Sequence, residues 1–338
     1  MQRAFEDVFA EGFVLRDAVK STCLGLASIR QKMNQTQSLT LTEHLVSATI
    51  LRIYGHAGPH EETVRLPHMQ ILSLPDSTAA RDRVAGVLVG IAAGDLYGGP
   101  LRMALHLAES LIACGEFNAS DVLSRHIGWF KEGAFDTGPV AENVLARIAA
   151  GEPPEVAVRT VHEARGGLTA GCNAAHRCAP LAMAHCLDNG NLRDAAVQEA
   201  ALTHFDPLAG DVSAAVVVLC RSLIIGDAWA DALALAARGR KELTQRALCV
   251  AERATLSTGG YAPNVLAAAI HFVDRHRDFG SALDASFEFA GGGNYCPVLV
   301  GAIGGARWGQ HSVPTERLQH AELLPRVRAA AECLAESW

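Results

Sequence analysis

From Ser77 onward the chain reads as helix after helix, punctuated by Gly and Pro, with no two consecutive convincing strands anywhere along it. Clear helix starts fall at Ser120-Asp121, Pro153-Pro154 and Asp227, and clear stops at Gly98-Gly99, Gly190 and Gly259-Gly260. Ala dominates an apolar fraction of 49%, against only 19% charged residues. That balance suits tightly packed helices whose small faces let backbones approach. No internal repeat is visible, and 338 residues are ample for a buried core. The expected class is all-α, with residues 81–338 forming one helical domain.

Residues 1–80 read as a separate segment. Apolar residues at helical spacing (Phe5, Val8, Phe9, Phe13, Val14, Ala18) mark one helix, and Thr42 caps a second that runs to Tyr54. Val64 to Leu72 is broken by Pro67 and fits an edge strand or an extended arm. His56, His60 and His68 match no tetrahedral ligand spacing and read as solvated loop residues. The amphipathic first helix is either a homodimer contact or a cap on the bundle.

The net charge is −7 with Lys and Arg scattered singly, so no basic stripe is offered to a nucleic acid. No window approaches the ~20 uninterrupted apolar residues of a membrane span. The longest run, Ala214 to Ile225, is broken by Arg221. Acidic residues appear by Glu6 with no basic region ahead of an apolar stretch, which argues against a signal peptide. Nine dispersed cysteines fit a reducing, cytoplasmic setting. Cys172 and Cys178 lack the spacing and the second ligand pair of a zinc site.

Four islands carry the chemistry. The first is Gly86-Val87-Leu88-Val89-Gly90-Ile91-Ala92-Ala93-Gly94-Asp95-Leu96-Tyr97-Gly98-Gly99-Pro100, and the second Gly133-Ala134-Phe135-Asp136-Thr137-Gly138. The third runs from Ala170 through Asn173, His176 and Arg177 to Pro180, and continues into Leu202-Thr203-His204-Phe205-Asp206-Pro207. The fourth is Phe289-Ala290-Gly291-Gly292-Gly293-Asn294-Tyr295-Cys296-Pro297, with a small-residue helix ending Gly304-Gly305-Ala306-Arg307-Trp308-Gly309. In order and spacing these islands resemble the ADP-ribosylglycohydrolase family, whose members remove ADP-ribose from modified side chains.

The resemblance implies an orthogonal multi-helix bundle with a cleft holding two Mg²⁺ ions that polarise the ribose and orient a water. Such ions need hard oxygen ligands, normally carboxylates and water. This chain departs from that pattern. The family's Asp-x-Asp-Thr cluster corresponds here to Gly292, Gly293, Asn294 and Tyr295, and of the second island's paired acids only Asp136 remains. A position commonly Glu in the family is Arg102, which fits the vacancy left by a metal or an anionic ligand gripped in fork geometry. The cofactor expectation is therefore no metal, or a single weakly held Mg²⁺ through Asp136 with help from Asp95 or Asp206.

The candidate catalytic residues are Asp136, His204 and Cys296. Cys296, just ahead of Pro297, reads as a helix cap whose thiol the helix dipole would acidify; the alternative is a small buried cap. His204 with Asp206 would orient an imidazole for acid–base work, though Asp206 equally reads as the cap of a helix starting at Pro207. Candidate ligand-binding residues are Arg102, Asn173, His176, Arg177, Asp206, Asn294 and Tyr295. For Trp129 core packing is the better reading. Three functions follow: cleavage of a ribosyl or ribosyl-like substrate in a rebuilt site, a catalytically silent module binding ADP-ribose, a nucleotide or a protein, or an ordinary Mg²⁺-dependent glycohydrolase using other acids.

Overall fold

The computed structural model describes residues 77–338. The expected N-terminal helices, the arm at 64–72 and His56, His60 and His68 lie outside the described residues. Helices follow one another as α1 (Ser77–Gly94), α2 (Gly99–Cys114), α3 (Ala119–Lys131), α4 (Pro139–Ala149) and α5 (Pro154–Ala164). The short α6 (Asn173–Arg177) and α7 (Pro180–Met183) precede α8 (Leu192–Ala201) and α9 (Pro207–Ile225). Then come α10 (Trp229–Ala237), α11 (Glu242–Ala247), α12 (Ala262–Arg275), α13 (Phe279–Ala290), α14 (Cys296–Trp308) and α15 (Leu324–Ala335). The all-α expectation holds: among the described residues there is no strand, and the sole extended pairing is a bridge between Gly171 and Tyr261.

Local chemistry sets the helix starts. Asn118 accepts the Asp121 N–H at 3.0 Å, so α3 begins just before the predicted Ser120-Asp121. Asp278 caps α13 through the Ser281 N–H at 2.8 Å. Asp206 accepts the Leu208 N–H at 2.9 Å with Pro207 in the first turn, the capping arrangement weighed from sequence.

Helix α9 is the core's axis, with every residue from Leu208 to Ile224 buried. By length and composition it could cross a membrane, but 94% of its apolar window is buried inside this bundle. Its one arginine has a structural use. Arg221 donates to the carbonyls of Ala182 (2.7 Å), Ala184 (2.7 Å) and Leu187 (3.1 Å) and lies over the Trp338 ring, which ties the turn after α7 to the core. Carbonyls satisfied this way would otherwise be buried without donors.

The tightest contact joins α1 to α14. Their glycines meet in antiparallel register, Gly86 against Gly305 and Gly90 against Gly301, with Gly94 against Pro297. A Cβ at Gly90 would fall 2.0 Å from the Gly301 carbonyl oxygen. Backbone approach this close places the turn after α1 beside the loop before α14, where the site forms.

Candidate functional site

Three loops converge at Asn294. In the turn after α1, Asp95 is fully buried and accepts the backbone N–H groups of Tyr97 (3.1 Å), Gly98 (2.8 Å) and Leu101 (2.8 Å), so it closes the start of α2. Asp136 lies in the turn between α3 and α4 with φ at 50°, a left-handed backbone unusual for a residue other than glycine. In the loop before α14, the Asn294 amide nitrogen donates to Asp95 Oδ1 and to Asp136 Oδ2, both at 2.7 Å. Its carbonyl oxygen accepts the Leu96 N–H at 3.0 Å. Tyr97 adds a second tie, its hydroxyl donating to the Gly292 carbonyl at 2.9 Å.

Burial pushes the Asp136 carboxyl up to about 6; the Asn294 hydrogen bond works against that rise and the neighbouring Asp95 adds to it. A carboxyl there changes charge close to neutral pH, where proton transfer is most effective.

Beside this junction opens a cleft of about 410 Å³ whose lining includes Arg165, Leu168, Asn173, Asp206, Tyr261 and Tyr295. Tyr261 and Tyr295 are both partly exposed, and Leu168 is 83% exposed. The wall is held by main-chain bonds across the Gly171–Tyr261 bridge, Cys172 N–H to Gly260 O at 3.0 Å and Ala262 N–H to Ala170 O at 2.9 Å. Chain continuity from Asn294 to Tyr295 and the close contact of Gly138 with the Asn173 amide connect the Asp136 turn to the cleft.

The predicted residues therefore divide. Asp136 and Asn294 meet directly, and Asn173, Asp206 and Tyr295 line the cleft. Arg102 is engaged elsewhere: it bonds Glu322 at 3.1 Å and lies over the Phe135 ring at 5.6 Å. Arg177 is fully buried, donating to the Glu199 carboxylate at 2.5 Å and to Thr203 Oγ1 at 2.9 Å, so its guanidinium lies inside the fold and not among the residues lining the cleft. A buried pair broken on one side is costly, and Arg177→Met is expected to lower the unfolding free energy by about 3–5 kcal/mol in urea titrations. Loss below about 1 kcal/mol would mean Glu199 finds another donor.

His176 is likewise buried, and desolvation pushes its imidazole down to about 3, with the Tyr295 backbone partly opposing. The His204–Asp206 pairing is not made. His204 Nδ1 contacts Thr203 Oγ1 at 2.8 Å while Asp206 caps α9, and burial followed by the Arg177 charge pushes His204 down to about 3. An imidazole held neutral in that way does not shuttle protons near pH 7. Burial also works against the acidified thiol expected at Cys296. Cys296 does open α14, but it is 3% exposed with its Sγ toward the Ser286 carbonyl, and burial pushes the thiol up to about 12. A helix dipole is worth ~0.3–1 kcal/mol, too little to offset that desolvation.

Trp129 packs edge-on against Phe135 and His106; it is partly buried and stands outside the core clusters. Arg165, Leu168 and Tyr261 were not singled out from the sequence. Tyr261 does follow the Gly259-Gly260 stop, but its partner Gly171 lies far away along the chain.

An ADP-ribosylglycohydrolase family model matches residues 101–338. A solved structure described as an ADP-ribosylglycohydrolase-related protein complex superposes with a TM-score of 0.64 at 25% identity, covering 77% of this chain and 99% of that one. No curated protein matches the sequence.

Proposed function

The chain belongs to the ADP-ribosylglycohydrolase family, and on that premise we propose that its cleft hydrolyses a ribosyl or ribosyl-like substrate without a full two-magnesium centre. The observation that carries this reading is Asp136: a half-buried carboxyl pushed up to about 6, fixed by Asn294, next to a cleft with two partly exposed tyrosines. In the step it supports, the Asp136 carboxylate takes a proton from water as the water oxygen bonds to the anomeric carbon. The glycosidic bond breaks, its electron pair leaves with the departing group, and Asp136 returns the proton to that group.

Two Mg²⁺ ions would need several hard oxygen ligands in near-octahedral geometry. Here Asp95 is engaged by three backbone N–H groups and Asn294, and one oxygen of Asp136 is held by Asn294, which leaves Asp136 as a lone half-buried acid beside the cleft. Among the described residues no three His, Cys, Asp or Glu side chains converge as a metal-binding group. That donor set does not fit a two-magnesium centre, so no step is routed through one.

Tyr261 and Tyr295 supply ring faces at the cleft, suited to a planar base on the ribosyl group. Tyr295→Ala is expected to weaken ADP-ribose binding by about 1–3 kcal/mol in calorimetry, the range for loss of one stacked base. Unchanged affinity would remove the ring face from the binding model. Burial and neutrality of His204 and Cys296 favour a second reading, a silent ADP-ribose-binding module. Assays of ADP-ribose release from modified side chains, run beside binding titrations, separate the two: binding without release supports the module.

A further inference from the structure

We infer that Asn294 is a built-in substitute for a cation between Asp95 and Asp136, so that the pair of carboxylates is closed by the chain's own amide rather than by a metal ion. Both carboxylates approach one atom, the Asn294 amide nitrogen, at 2.7 Å each. An amide –NH₂ has two protons, and both are used. The orientation is fixed, because the same side chain accepts the Leu96 N–H through its oxygen at 3.0 Å. Flipping the amide would set its oxygen against two carboxylates and its N–H groups against a backbone N–H. Asn294 is 7% exposed and Asp95 fully buried, so that side of the bridge is shielded from water while Asp136 stays half-buried.

The remaining acceptor capacity of Asp95 is taken by the N–H groups of Tyr97, Gly98 and Leu101. A cation entering here would have to displace an amide that has all its hydrogen bonds made. The amide bridges the two acids without carrying charge, and it joins the turns after α1 and α3 to the loop before α14. A single change reverses this. Asn294→Asp removes the two donors and places a third carboxylate at the junction, an arrangement that a divalent cation relieves.

The inference rests on the reading of a cleft without a full metal centre, and its test uses no turnover. Mn²⁺ binding is followed by electron paramagnetic resonance, and thermal unfolding is recorded with Mg²⁺, Mn²⁺ or chelator. The wild-type chain is expected to leave the free Mn²⁺ signal unchanged up to millimolar metal and to melt at the same temperature with or without chelator. Asn294→Asp is expected to melt lower in chelator, to regain stability as metal is added, and to bind Mn²⁺ at least about tenfold more tightly than wild type.

Stoichiometric Mn²⁺ on the wild-type chain would overturn both this inference and the metal-poor reading of the site. A wild type without metal and an Asn294→Asp variant that folds but gains no affinity would overturn this inference alone. If Asn294→Asp does not fold even with metal present, the wild-type titration still decides, since tight Mn²⁺ binding there leaves no place for the amide bridge.

Discussion

Gly90→Ala is expected to cost more than about 4 kcal/mol of unfolding free energy, enough to leave little folded protein, read by urea denaturation or by loss of soluble expression. The added Cβ would lie 2.0 Å from the Gly301 carbonyl oxygen and 2.8 Å from its carbon. Gly301 has the reciprocal constraint, with a Cβ there 2.1 Å from the Gly90 oxygen. These neighbours are backbone atoms inside helices, so no rotamer change makes room. The two helices would have to part along their length, and the Gly86–Gly305 and Gly94–Pro297 contacts would open with them. Interiors packed to crystal density do not absorb such a shift locally. Gly128→Ala in α3 is the control: its Cβ would meet nothing within 4 Å, and it is expected to gain about 0.5–1 kcal/mol from helix propensity. A Gly90→Ala protein as stable as wild type would mean α1 and α14 do not pack as described.

Asp136→Asn is expected to lower turnover by about 10²–10⁴-fold, the usual contribution of one general acid or base, while ADP-ribose still binds. Asn keeps an oxygen able to accept the Asn294 N–H, so the turn keeps its bond and the effect falls on proton transfer. The pH dependence follows from the shift. With the carboxylate as the base of the proposed step, kcat/KM of the wild type should rise as pH passes about 6 and then level, and the variant should lack that limb. Stability should carry the opposite sign. A carboxyl pushed up from 3.8 to about 6 by folding binds its proton more tightly in the native state. Its contribution is fully present below about 4 and is lost as pH rises through about 6, a decline the Asn variant should not show. Turnover retained in Asp136→Asn, with its pH limb intact, would remove Asp136 from the chemistry.

What was legible in the sequence was local or periodic. Helical spacing and Gly/Pro punctuation predicted an all-α chain, and the Asp206-Pro207 pair predicted a capped start to α9. That the loop around Asn294 carries no carboxylate was equally plain, because the identity of a side chain is a sequence fact. The pairing of Arg102 with Glu322 was not legible, because Glu322 comes from a loop near the C-terminus. The burial of Arg177 was hidden for the same reason, because Glu199 and Thr203, which it pairs with, come from α8 and the turn after it.

Cys296 shows the division most clearly. Its place at the start of a helix ahead of a proline could be read from the chain, and so could the direction of the dipole. Whether the dipole or desolvation wins depends on what covers the thiol, and that was decided by α13 folding back to put the Ser286 carbonyl over Sγ. The sequence by itself determined that the chain is helical, and placed starts such as Pro154 and the Asp206 cap, because these depend on neighbours within a few residues. Only the tertiary structure decided that one amide would bridge Asp95 and Asp136, because hydrogen bonding and burial at that point depend on three loops brought together by the glycine contact of α1 with α14.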